Sequence, residues 1–151
     1  MIFKFVISVC FLALIQFSGL SVEVSDELGK QTYMTVCVAC HQPTGAGLPP
    51  VFPSIIKTEY IEGSQERLIA MVLKGVIGPI TVNGVVFNNI MPPQEAMLSD
   101  EKISAVLSFV RSNFGNSASS IKVDLVAAIR KKFLDRKNPW IESELKAWPK
   151  D

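Results

Sequence analysis

The chain has 151 residues, and its 15 basic and 14 acidic side chains leave a net charge of +1. That length suits one domain with a core of its own, and the near-neutral balance argues against a nucleic-acid binder, which needs a strongly basic face. Hydrophobic residues make up 48% of the chain, an excess that comes partly from its N-terminal segment.

That segment, MIFKFVISVCFLALIQ over Met1 to Gln16, carries one lysine and then an apolar run from Phe5 to Ile15. The run has the length of a signal-peptide core and falls well short of the roughly 20 residues that span a bilayer. Small residues in Gly19-Leu20-Ser21 place the expected cleavage after Ser21, so 1–21 is read as a signal peptide and the protein as periplasmic or otherwise exported. Membrane association is expected only if this segment stays uncleaved. Without Lys4 the remainder holds fourteen basic and fourteen acidic residues, divided unevenly: six and nine over 22–115, eight and five over 116–151. The basic groups at Arg130-Lys131-Lys132 and Arg136-Lys137 read as a solvated helix face.

A first helix is expected from Ser25 to Cys40, capped by Ser25, with Asp26 and Glu27 favouring the positive end of the helix dipole. Pro43, Gly45, Gly47, Pro49, Pro50 and Pro53 make a loop of 41–54. A second helix is predicted from Ser64, as cap, to Lys74, with Gly75 ending it. From Val76 to Leu98 helical periodicity is absent; Gly78-Pro79 and Asn83-Gly84 mark turns, and Met91-Pro92-Pro93 is held extended. Ser99 caps a third helix from Asp100 to Asn113, whose Ile103, Val106, Leu107 and Val110 make one apolar stripe. A fourth covers Ile121 to Leu134, and the stretch around Asn138-Pro139-Trp140 has no assignment. Sheet content is expected to be small. Helices this few, joined by loops this long, make a poor core by themselves, so another component is expected in the middle.

The cysteines indicate what it is. Cys10 falls in the signal segment, leaving Cys37 and Cys40 in the run Cys37-Val38-Ala39-Cys40-His41. This spacing is that of covalent haem c attachment. At a helix end, residues three apart share a face, so both sulfurs reach one edge of a porphyrin while the adjacent imidazole turns to the iron. A redox dithiol is expected beside a βαβ unit, which the pattern lacks. Structural zinc needs four ligands, and only one histidine and no third retained cysteine exist. Catalytic use of a Cys/His pair leaves the second thiol without a role.

With one histidine in the chain, the second axial ligand is sought among Met34, Met71, Met91 and Met97. Met34 shares the attachment helix, and Met71 fits the apolar periodicity of the second helix. Met91 lies fifty residues beyond His41 in a loop stiffened by two prolines, with room to wrap to the far side. The expected iron ligands are therefore His41 and Met91, with Met97 in reserve, in keeping with the usual His/Met pairing.

The segments Gly29…Tyr33…Cys37-Val38-Ala39-Cys40-His41-Gln42, Gly45-Ala46-Gly47-Leu48-Pro49 with Phe52-Pro53, Gly78-Pro79-Ile80-Thr81-Val82-Asn83-Gly84 and Met91-Pro92-Pro93 resemble class I cytochromes c over residues 26 to 115. They are most similar to small bacterial cytochromes and to the cytochrome modules of periplasmic dehydrogenases and reductases. The resemblance implies an all-α cytochrome c fold over 22–115, three to four helices around one covalent haem, followed by a basic, helical extension over 116–151. It also implies that the Pro49 carbonyl accepts from the second nitrogen of His41, and that Gly29 and Tyr33 sit where the first and third helices cross. Arg67 is expected either to neutralise a haem propionate or to pair with Glu66 or Glu62 at the surface. Asn88 is expected to bond the Met91 sulfur or to serve a turn.

An iron with both axial positions filled leaves no place for oxygen or substrate, so the expected function is single-electron transfer between redox proteins (a dehydrogenase, reductase or oxidase), with no small-molecule substrate. The lysine ring is thin, Lys57 and Lys74 only, so the docking face is expected to be apolar and built from Val51, Phe52, Ile90 and Pro92. Two other readings stay open: a ligand-binding haem protein with labile Met91, and a dedicated subunit docked to a dehydrogenase or reductase through 116–151.

Overall fold

The computed structural model describes residues 20–149, with side chains from Ser25 onward; Cys10 and the cleavage segment expected near the N-terminus lie almost wholly outside this range. Helix α1 spans Leu20–Thr32, passes through one π-helical turn at Tyr33–Cys37, and continues as the short α2, Val38–His41. The expected first helix is thus present but begins earlier, placing Ser25 inside it instead of at its cap. The π turn has a local cause and a consequence. The Thr32 and Thr35 hydroxyls donate to the carbonyls of Leu28 and Gln31, each at 2.8 Å, an arrangement that loosens a helix at that point. A π turn inserts one residue, which rotates all that follows by about 100° and so re-aims Cys37, Cys40 and His41.

Helix α3 is Gln65–Lys74. Ser64 occupies the position before it, but its hydroxyl makes no capping bond and is buried without a partner; the Ser64 carbonyl alone starts the helix by accepting from Leu68 N–H at 3.1 Å. Gly75 closes α3 at φ 75°, a conformation that favours glycine. Next comes a hairpin, β1 Pro79–Val82 antiparallel to β2 Val85–Asn88, with Ile80 opposite Phe87. Its loop is Asn83-Gly84, with φ of 47° and 78°, the two-residue turn whose twist suits paired strands. The turn was legible, the strands beside it less so. Ile80, Val82 and Phe87 are buried.

Helix α4, Asp100–Ser112, is capped as expected: Ser99 Oγ accepts from Lys102 N–H at 3.4 Å. It crosses α1 at Gly29, where an added Cβ would come within 2.7 Å of Phe109 Cβ and collide with the Ala105 carbonyl. Tyr33 sits at the same crossing, its ring 6.0 Å from Phe109 and 5.0 Å from Phe114. The expected fourth helix is α5, Val123–Lys132, and the unassigned end contains α6, Glu142–Lys146. Neither stands apart. Val126, Ile129, Trp140 and Leu145 belong to the same buried cluster as Ile69, Leu73 and Ile103. Three of the basic side chains read as a solvated face are paired within the chain: Arg130 with Asp100, Lys132 with Glu66, Arg136 with Glu144. Among the described residues, no helix is long and apolar enough to cross a membrane.

Two predictions follow from the α1–α4 crossing. Gly29→Ala overpacks it and should cost about 1–3 kcal/mol, read as a lower denaturant midpoint. Tyr33 donates its hydroxyl to the Gln42 carbonyl at 2.6 Å, and burial, with Cys37 nearby, pushes its phenol up from 10.0 to about 12. The fold holds a proton that the unfolded chain releases sooner. This stability is complete below pH 10 and is lost as pH rises through about 12. Tyr33→Phe should therefore lower stability by about 0.5–1.5 kcal/mol at neutral pH and flatten the alkaline fall in denaturant midpoint relative to the unaltered protein.

Candidate haem site

Between α1–α2, α3, the hairpin and α4 lies a cavity of about 190 Å³. On the same measure, one water needs roughly 10–15 Å³. An apolar space that large exceeds the voids of ordinary protein interiors, few of which are larger than a water molecule. Leu68, Met71 and Val72 reach it from α3, Ile80, Val82 and Phe87 from the hairpin, and Val106, Leu107 and Val110 from α4. Each set follows from its element: spacing of three and four along the helices, and the inward side of the strands.

Cys37, Cys40 and His41 line the same cavity, and Met91 lines it from the loop after β2. The sequence separates His41 and Met91 by fifty positions, and the fold brings them to one space. His41 Nδ1 lies 3.0 Å from the Pro53 carbonyl. A carbonyl only accepts, so Nδ1 carries the proton and Nε2 keeps its lone pair for a metal. Burial holds the imidazole below its ordinary pKa, with the bond to Pro53 acting the other way, which favours the neutral ring that ligation requires.

The partner of His41 was expected to be Pro49. It is Pro53. Leu48 and Phe52 close a tight turn on each other, with N–H to carbonyl distances of 2.8 and 2.9 Å, which leaves Pro49 and Pro50 at its exposed tip and returns Pro53 beneath the histidine. Backbone acceptors leave no side-chain signal, so sequence reasoning had no means to choose between prolines four residues apart.

Arg67 does not make the expected pair with Glu66 or Glu62. It precedes Leu68 by one residue, about 100° around α3 from the cavity-facing side, and it is absent from the lining. Its guanidinium donates to the Glu59 carbonyl and lies 4.8 Å from the Tyr60 ring centroid, while Glu66 pairs with Lys132. Asn88 is exposed on the outer side of β2, opposite in sense to the buried Phe87, and it is Asn89 that borders the cavity. Strand alternation accounts for the difference. Met34 and Met97 are exposed and away from the cavity, whereas Met71 lines it along with Met91. Lys74, expected in a docking ring, is 4% exposed and bound to Glu95 at 2.6 Å.

The chemistry of the sulfurs narrows what the site can do. Burial, with Cys40 adding to it, pushes the Cys37 thiol up to about 11, the reverse of the low value that makes a nucleophilic or redox-active thiolate. Among the described residues no three His, Cys, Asp or Glu side chains gather where a metal ion could sit, so zinc has no ligand set. Two thiols, a neutral imidazole and a thioether around a deep apolar cavity do fit an iron porphyrin, with its apolar ring and central metal.

Comparison with known proteins agrees. The family model for cytochrome c matches residues 27–114. A cytochrome c-552 of Thermus thermophilus is 34% identical over 110 residues, covering 70% of this chain and 72% of that protein. The fructose dehydrogenase cytochrome subunit of Gluconobacter japonicus is 31% identical over 106 residues, 68% of this chain but 22% of the subunit. The gluconate 2-dehydrogenase cytochrome c subunit of Pantoea cypripedii is 30% identical over 109 residues, 70% of this chain and 24% of its own length. This chain therefore belongs to the cytochrome c family of electron carriers, a mostly helical protein that carries one covalently bound haem c.

Proposed function

We propose that the protein is an exported single-electron carrier in which Cys37 and Cys40 bind the haem through thioethers and His41 and Met91 ligate its iron. The observation that carries this reading is the meeting of all four side chains on one apolar cavity, with the His41 proton directed to Pro53. The haem supplies an iron that changes oxidation state, and a methionine ligand raises its potential by favouring the reduced form. The polypeptide does the rest. Pro53 sets the imidazole tautomer and its orientation. The apolar walls from α3, α4 and the hairpin keep water from the iron. Export rests on the N-terminal segment, whose short apolar run reads as a signal peptide.

Electrons enter and leave where the haem edge approaches the surface. The rim of the cavity there is apolar: Val51 and Ile90 line it and are 43% and 57% exposed, with Pro92 exposed beside them. With Lys74 buried in an ion pair, Lys57 is what remains of the lysine ring. Redox partners of the dehydrogenase, reductase or oxidase kind dock on this rim by apolar contact, in the small transient interfaces usual for such exchange. A role as a subunit of a larger dehydrogenase is compatible with this surface and with the dehydrogenase cytochrome subunits among the relatives. It does not need the C-terminal segment as a docking device, because Arg130, Lys132 and Arg136 are bound within the chain.

Met91→Ala should abolish the weak near-infrared band of sulfur-to-iron ligation in oxidised protein and open the reduced iron to carbon monoxide. Met71→Leu should keep the band and exclude the gas. A band that survives the first change and vanishes with the second reassigns the ligand to Met71, and ready carbon monoxide binding by the unaltered protein makes it a ligand-binding haem protein instead. The rate of electron exchange with a partner should vary little with ionic strength, measured by stopped-flow absorbance. A steep fall with added salt contradicts apolar docking, since charge-steered association is strongly screened.

A further inference from the structure

The loop that carries Met91 is held at both ends by the C-terminal segment. On the near side, Gly75–Ile77 runs between two neighbours. Val76 exchanges both backbone hydrogen bonds with Met91, N–H to carbonyl, each at 2.9 Å. Its other edge is occupied by Trp140: Trp140 N–H donates to the Gly75 carbonyl and Ile77 N–H to the Trp140 carbonyl, both at 2.9 Å. Trp140 is itself anchored, 5% exposed, with its indole N–H donating to the Ala70 carbonyl at 2.9 Å and the Arg136 guanidinium 3.5 Å from its ring centroid. On the far side, Arg130 of α5 donates to the carbonyls of Glu95 and Leu98, each at 2.8 Å, and pairs with Asp100 at 2.7 Å.

We infer that Trp140 and Arg130 are positioning residues for the Met91 thioether: they set how often the loop opens and hence how firmly the sixth ligand is held. The inference rests on the reading of Met91 as that ligand. Its physical basis is local opening. A segment opens with a free energy set by the contacts it alone must break. To release Met91 the loop must part from Val76 or lift away from α3. Trp140 keeps Val76 in place from behind, and Arg130 ties down the turn through which the loop rejoins α4. An outside ligand binds the iron only in the open state, so its apparent affinity is scaled by the open fraction. These two residues lie outside residues 27–114, the stretch that the cytochrome c family model matches.

The test titrates the oxidised, haem-loaded full-length protein with imidazole, following loss of the near-infrared band. Arg130→Gln and Trp140→Ala should each bind imidazole about tenfold more tightly than the unaltered protein, as a tenfold larger open fraction requires. Trp140→Phe, which loses the bond to Ala70 but keeps a ring, should fall between, and with Arg130→Gln it carries the test if Trp140→Ala does not assemble. Gly29→Ala, destabilised at the distant α1–α4 crossing, should stay within about twofold of the unaltered protein. In a Met91→Ala background, where the near-infrared band is already gone and imidazole binding is followed by the shift of the main visible haem absorption, Arg130→Gln should add nothing. The inference is overturned if the tail variants shift no more than Gly29→Ala, or if Arg130→Gln acts equally with Met91 absent. Survival of the band in Met91→Ala overturns the ligand reading and the inference together, whereas its loss there with unmoved tail variants overturns the inference alone.

Discussion

The constraint on which everything else depends is an apolar cavity at the centre of the molecule that the chain's own side chains do not fill. Helices α1, α3 and α4 meet each other at their margins, through Gly29 against Ala105 and through the buried cluster of Ile69, Leu73 and Ile103, and face the cavity between. A protein of this size buries only a modest share of its surface, so walls of Leu68, Val72, Val106 and Phe87 are worth their burial only against another apolar body. The haem of the cytochrome c family is that body. Cofactor and core are here the same thing, which is why the attachment motif, the hydrophobic stripes and the long irregular loops all serve one end.

The polar part of the site is small and consists largely of backbone. One carbonyl, that of Pro53, sets the histidine tautomer; one pair of bonds between Val76 and Met91 places the methionine loop. Neither uses a side-chain partner. This economy suits a protein whose chemistry is the arrival and departure of an electron, because rigid neutral surroundings change little when the charge on the iron changes. The charged residues do other work. Lys74 with Glu95 and Arg130 with Asp100 fasten the Met91 loop and the C-terminal segment to the core, Arg136 with Glu144 ties that segment to itself, and the rim around the cavity mouth is left to Val51 and Ile90.

Much of this was legible in the residues. The run Cys37 to His41 announced its chemistry because attachment demands two thiols at helical spacing beside an imidazole. Ser99 announced a helix start because a cap answers a local demand, and the family resemblance placed a close crossing at Gly29. The missed points share a different character. Pro49 and Pro53 are alike as residues, and only the turn closed by Leu48 and Phe52 decides which carbonyl lies under His41. Arg67 and Asn88 were plausible by type, but each sits one step off the cavity lining, one along a helix and one along a strand. Lys74 read as a surface charge until its pairing with Glu95 buried it. Ser64 stands at the right place for a cap, yet its hydroxyl makes no capping bond.

Covalent spacing and amphipathic period are properties of a few consecutive residues, so the family, the cofactor and the order of the helices up to α5 could be read in one dimension. Only the tertiary structure decided which carbonyl orients the histidine, which polar residues reach the cavity and what the C-terminal segment does. That segment looked like a basic appendage in one dimension. In three it is a brace: Trp140 lies along Val76 and Arg130 over the carbonyls of Glu95 and Leu98, contacts between positions 32 to 64 residues apart that no local pattern encodes. Hydrogen bonds to backbone are indifferent to the identity of the residue that accepts them, so only the folded path of the chain reveals them.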